Sequence, residues 1–146
     1  SGMIGGQVVD VASCGVGLDE GMLNFIYELK TGALIESSMM IGALLAGAED
    51  AELEKVQKIA SDVGIAFQIQ DDILDVTSTT EELGKPVHSD EKNEKTTYVT
   101  MFGTDGAEQE VKRLTKEAVD ELKNLSCPGD KIFLEELFES LTSRKK

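Results

Sequence analysis

Residues 67–75 read FQIQDDILD. On a helix, positions i, i+3, i+4 and i+7 share a face. Gln68, Asp71, Asp72 and Asp75 have that spacing, while Phe67, Ile73 and Leu74 can pack elsewhere. Upstream, Leu53, Val56, Ala60 and Val63 step by three and four toward Phe67, the pattern of a buried helical stripe. The nine residues therefore close a helix expected over 50–76, and at 1.5 Å per residue it is roughly 40 Å long. A helix of that length suits a large all-helical domain. No segment reads as a strand, so the fold class is all-α.

The rest of the chain agrees. Its 146 residues suit one domain or part of a larger one. Hydrophobic residues make up 40%, enough for a core, tryptophan is absent and only two prolines occur. Asp19 is placed to cap a helix that passes Met22, Phe25, Ile26 and Leu29. Gly32 interrupts it, and helical spacing resumes through Leu34, Ile35, Met39 and Leu45 to end near Gly47. Residues 77–93 are polar, contain Gly84 and Pro86, and read as loop. A short helix is expected at 98–102, an amphipathic one over 107–125 and a last one over 132–141. Arg144, Lys145 and Lys146 read as a frayed basic end. Helical spacing begins at once in SGMIGGQVVDVASCG, with no capping region before it. Either the chain is cut from a longer protein, or Ser1 and Gly2 are a cloning remnant.

Charge and cysteines exclude several classes. The net charge of −14, from 14 basic and 28 acidic residues, should repel nucleic acid and anionic membranes. Cys14 and Cys127 are the only cysteines and form no C-x-x-C pair, which suggests reduced thiols in a cytoplasmic protein. Cys14 is expected to pack and Cys127 to lie in a Pro-Gly loop. The longest apolar run, 37–48, is too short for a helical membrane span.

Three acids beside a core raise one another's pKa and strain the bare helix, and a divalent cation removes both problems. Magnesium suits them best, since it takes one or two carboxylates and completes its shell from water and phosphate. An EF-hand loop is missing, and with His88 as the sole histidine there is no zinc or di-iron pattern. The bland alternative is a solvated helix face. If magnesium joins the acids to a phosphate, cations should approach too. Lys30 and Thr31 stand at the Gly32 interruption, and Lys85, Lys92 and Lys95 follow the acids in a segment long enough for a lid. Gln7 and Asp10 share one face of the first helix, either as satisfied core groups or as a cavity lining.

Together these pieces resemble the trans-isoprenyl diphosphate synthases of the polyprenyl synthetase family. GMIGGQVVD (2–10) is similar to its glycine-rich helix with Gln and Asp. LKTGALI (29–35) is similar to its Lys-Thr motif, and FQIQDDILD to its second aspartate-rich motif. GKP (84–86) and SDEKNEKTTY (89–98) resemble the lid segment that follows. The resemblance implies an all-α fold, Mg2+, and head-to-tail condensation of isopentenyl diphosphate with an allylic diphosphate to a short-chain prenyl diphosphate. It implies that Asp71, Asp72 and Asp75 hold magnesium on the allylic diphosphate. Lys30, Lys85 and Lys95 would contact diphosphate, Gln7 and Asp10 would bind substrate, and Thr31 and Gln68 would face the developing cation. Tyr27 and His88 stand where the pattern has His and Gly. The family's first aspartate-rich motif and upstream arginines are absent, so residues 1–146 correspond to the C-terminal part of a single domain. The competing expectation is a non-catalytic helical interaction or regulatory subunit of the same fold. The family is typically homodimeric, so the chain is expected as a homodimer or bound to an N-terminal half.

Overall fold

The computed structural model describes residues 2–79, 94–127 and 130–144. They form α1 (Gly2–Ala12), α2 (Glu20–Tyr27), a π-helical turn (Glu28–Gly32), α3 (Ala33–Leu45), α4 (Asp50–Thr77), α5 (Tyr98–Lys123) and α6 (Ile132–Thr142). No strand occurs among the described residues, and the fold is all-α.

The helix carrying the acids is the central one. α4 packs against α2, the π turn, α3, α5 and α6. It consequently buries more than the single stripe expected from spacing. Ile59, Ala66, Ile69, Ile73 and Leu74 are buried along with Val56, Ala60 and Val63. Two core clusters lie along it. One joins Leu23, Ile26 and Tyr27 to Ala66, Ile69, Ile73 and, on α5, Tyr98, Val111 and Leu114. The other joins Val56, Ile59 and Val63 to Ala118, Leu122 and Phe138.

Two glycines let the chain close around the π turn. A Cβ on Gly6 would lie 2.5 Å from the backbone nitrogen of Lys30, and one on Gly64 would lie 2.7 Å from Cα of Gly32. The close approach allowed by Gly6 is therefore made by this chain's own π turn. Asp19 caps α2 as expected, its Oδ1 accepting from the Met22 N–H at 2.8 Å. α5 begins at Tyr98, and the expected short and long helices are one element with a break inside. Gly103 has φ 74° and ψ 168°, a conformation that glycine alone adopts without strain.

Two other expectations are corrected. Cys14 is exposed, as is Cys127. Arg144 is docked rather than frayed. Its Nη2 lies 2.9 Å from Asp71 Oδ1, and its guanidinium stacks 4.1 Å from the centre of the Phe67 ring. A carboxylate beside an aromatic face offers the guanidinium both an ion pair and a cation–π contact.

Candidate functional site

The π turn and α4 run past each other in opposite directions. Tyr27 donates its hydroxyl hydrogen to Asp72 Oδ2, and Thr31 donates to Gln68 Oε1 at 2.9 Å. The two rungs are four residues apart on both elements, so one helical turn separates them. Between Tyr27 and Thr31, Lys30 turns the other way, toward α1. Its Nζ lies 3.0 Å from Asp10 Oδ2, and Lys95 reaches the same oxygen at 2.9 Å. A π turn inserts one residue into the α spacing, and such turns occur frequently at functional sites. Here it lets adjacent residues Lys30 and Thr31 serve two different helices.

Burial raises the Asp10 pKa, but the hydrogen-bonded Lys95 and Lys30 ammonium groups outweigh it and hold the carboxyl below its usual range. Asp10 thus stays ionised and fixes two cations side by side. Paired ammonium groups are suited to phosphate oxygens.

The three acids of α4 divide. Asp71 retains 32% side-chain exposure beside Arg144. Asp72 and Asp75 are only 4% and 2% exposed. Asp72 Oδ2 also accepts from the Tyr98 N–H at 3.1 Å. All three supply the hard oxygen donors that magnesium prefers. Among the described residues, no three His, Cys, Asp or Glu side chains are gathered closely enough to hold a metal. The donor chemistry fits magnesium nonetheless, because this ion needs few protein carboxylates when a diphosphate shares it.

Among the other expected site residues, Gln7 is exposed on α1. Lys85 lies outside the described residues, as do Gly84, Pro86, His88 and Lys92. An open groove of about 910 Å3 between α4, α5 and α6 is lined by Gln70, Ile73, Thr77, Val111 and Arg144. It includes neither the lysine pair nor the acids. Sequence reasoning gave no functional part to Tyr27, the Tyr98 amide or Arg144. Tyr27 did carry a signal, since it lies four residues before Thr31 and so shares its face.

The described residues thus form an all-helical protein whose central helix carries three acids and whose π turn joins that helix to a lysine pair held by α1. A family model for polyprenyl synthetase matches residues 1–132, and the chain belongs to that family. It is 42% identical over 124 residues to a geranylgeranyl diphosphate synthase of Cyanophora paradoxa, covering 84% of this chain and 41% of the relative. It is 45% identical over 123 residues to a dimethylallyltranstransferase of Fischerella ambigua (strain UTEX 1903), covering 84% and 36%. Among solved structures, a geranyltransferase from Helicobacter pylori, complexed with magnesium and isoprenyl diphosphate, matches at 32% identity and TM-score 0.78. That match covers 97% of this chain and 46% of the other. Heptaprenyl diphosphate synthase from Staphylococcus aureus shares the fold, at 22% identity and TM-score 0.89, over 99% and 57% of the two chains. The chain spans about two fifths of the length of these curated relatives.

Proposed function

We propose that residues 1–146 form the C-terminal part of a trans-prenyl diphosphate synthase. The reaction would join isopentenyl diphosphate head to tail with an allylic diphosphate. Geranylgeranyl diphosphate synthases among the relatives support this reading, and so does the magnesium and isoprenyl diphosphate bound in a structural neighbour. The observation that carries it is the joint placement of Lys30 and Lys95 on Asp10 and of Thr31 on Gln68, beside the acids of α4.

In this reading Asp71, Asp72 and Asp75 hold Mg2+, with Asp71 the most accessible of the three. When bound, the ion would neutralise diphosphate charge and ease its departure. Lys30 and Lys95 would bind phosphate oxygens, their separation set by the shared Asp10 carboxylate. Lys85 joins them as a proposed contact, and Gln7 and Asp10 as substrate-binding groups. Thr31 and Gln68, already bonded to each other, would hold their oxygen dipoles toward the developing allylic cation. Such groups cost no reorganisation at the moment of reaction. No helix among the described residues is long and apolar enough to cross a membrane. A cytoplasmic location is part of the proposal, supported by two free cysteines.

Titration calorimetry with Mg2+ and inorganic diphosphate tests the site. The chain should bind the two together far more tightly than Mg2+ alone, and absence of any diphosphate binding would sink the reading. Turnover is expected only when the remaining part of the domain is supplied. There, Asp71→Ala should lower the rate at least about 100-fold with a stability change within about 1 kcal/mol, because the side chain is part-exposed. An unchanged rate would remove Asp71 from the metal site.

A further inference from the structure

We infer that Tyr27 and Asp72 are positioning residues: together they clamp the first amide of α5 and so deliver Lys95 to Asp10. The inference rests on the proposed reading only in giving Lys95 a diphosphate to bind. The clamp is a closed arrangement of three buried groups. Tyr27 donates its hydroxyl hydrogen to Asp72 Oδ2. The Tyr98 N–H points between them, 3.1 Å from that carboxylate oxygen and 3.2 Å from the Tyr27 hydroxyl oxygen. Tyr27, Asp72 and Tyr98 are all buried.

The first amides of a helix have no acceptor inside it. In α5, Thr97 and Thr100 form a capping box that closes on itself, with Thr97 Oγ1 accepting from the Thr100 N–H and Thr100 Oγ1 from the Thr97 N–H. The Tyr98 amide is left to α4. The break at Gly103 makes the clamp matter more. Residues 98–102 do not continue the hydrogen-bonded run of the longer helix, so the body of α5 does not by itself orient that turn.

Immediately around Lys95, the Glu94 carbonyl accepts from the Gly15 N–H at 3.1 Å, and Thr96 Oγ1 accepts from the Leu18 N–H at 3.2 Å. Lys95 thus lies between two loop anchors, with the clamp three residues further on at Tyr98. Its Nζ meets Asp10 only while the anchors and the clamp hold. The second acid of the DDILD run therefore has work that spacing alone does not suggest: through Oδ2 it fixes where a lysine stands.

The test reads Lys95 through its partner. Carboxyl-labelled aspartate in the whole chain allows Asp10 to be titrated by NMR. Lys95→Ala should raise the Asp10 midpoint by about one unit, the usual effect of removing an adjacent opposite charge. Tyr27→Phe should raise it by a clear fraction of that shift, and should add nothing in the Lys95→Ala background. Hydrogen exchange at the Tyr98 amide should speed up about tenfold, while amides of 111–119 keep their rates. Should Tyr27→Phe fail to fold, Asp72→Asn serves for the same readings. An unchanged Asp10 midpoint, full additivity with Lys95→Ala, or uniformly faster exchange would each overturn the inference. A parallel titration with Mg2+ and inorganic diphosphate should show a several-fold weaker affinity in Tyr27→Phe. If the unmutated chain binds no diphosphate, the proposed function fails, and the Asp10 titration still decides the clamp.

Discussion

Asp10 shows how much one carboxylate controls. It holds two ammonium groups at 3.0 and 2.9 Å, and its own pKa is lowered by them despite burial. A carboxyl lowered in the folded state adds stability above its unfolded value of about 3.9, and loses it as pH falls through the folded value. Asp10→Asn should therefore be less stable than the parent by about 1 kcal/mol near pH 7, a modest value because the pair is part-exposed. Urea unfolding should show that gap constant from about pH 5 to 8 and closing below about pH 4. A gap that persists at low pH would mean that the lysines contribute nothing through charge. Asp10 was legible as a polar residue on an apolar helix, but its role was not. The two cations that define it come from 20 and 85 residues away. The acids of α4 teach the same point. Their common face follows from spacing, whereas the division between Asp71 beside Arg144 and Asp72 beneath Tyr27 depends on tertiary partners that no local pattern encodes.

At the scale of elements, close approach decides what the sequence can tolerate. Gly6 faces backbone and not a flexible side chain, as does Gly64. Neither neighbour can move without displacing the π turn that carries Lys30 and Thr31. Gly6→Ala and Gly64→Ala should each cost about 1–3 kcal/mol by overpacking, read as a lower urea midpoint. In the same assay Gly42→Ala, where a Cβ meets nothing within 4 Å, should be neutral or stabilising, since alanine favours helix. Equal effects at all three sites would show that propensity, not contact, governs. Most elements were legible because their signals are local. The Asp19 cap and the turn chemistry after Leu45 fix ends within a residue or two. The length of α4 follows from a sustained three-and-four period. The π turn was not legible beyond an interruption at Gly32, because it is set by glycine packing across to α4. The merger of two helices at Gly103 was hidden for a similar reason: a glycine with positive φ reads in sequence as an end.

The whole molecule presents apolar surface that a self-sufficient bundle would cover. On α1, Ile4, Val8 and Val11 are exposed, and on α3 so are Leu34, Ile41 and Leu45. Each set follows helical spacing, four then three on α1 and seven then four on α3, so each is a stripe and not a scatter. Ile26 is buried in the core, and Val9 and Ile35 are partly buried against it, so none of the three belongs to these stripes. Gly6 already spends its close approach on the π turn, which leaves the opposite side of α1 as the available face. Apolar patches beyond a few hundred Å2 usually mark an interface. The chain is therefore expected to pair through α1 with a second copy, as a homodimer, or to bind the complementary part of the domain there. Sedimentation at micromolar concentration should give a species heavier than the 15.8 kDa chain. Val8→Glu, which puts a charge in the middle of the α1 stripe, should weaken association at least about tenfold by burying an unpaired carboxylate. Because Val8 is exposed in the single chain, the variant should keep its helical content. A monomer at every concentration tested, or association indifferent to Val8→Glu, would show that the stripe on α1 is not the contact.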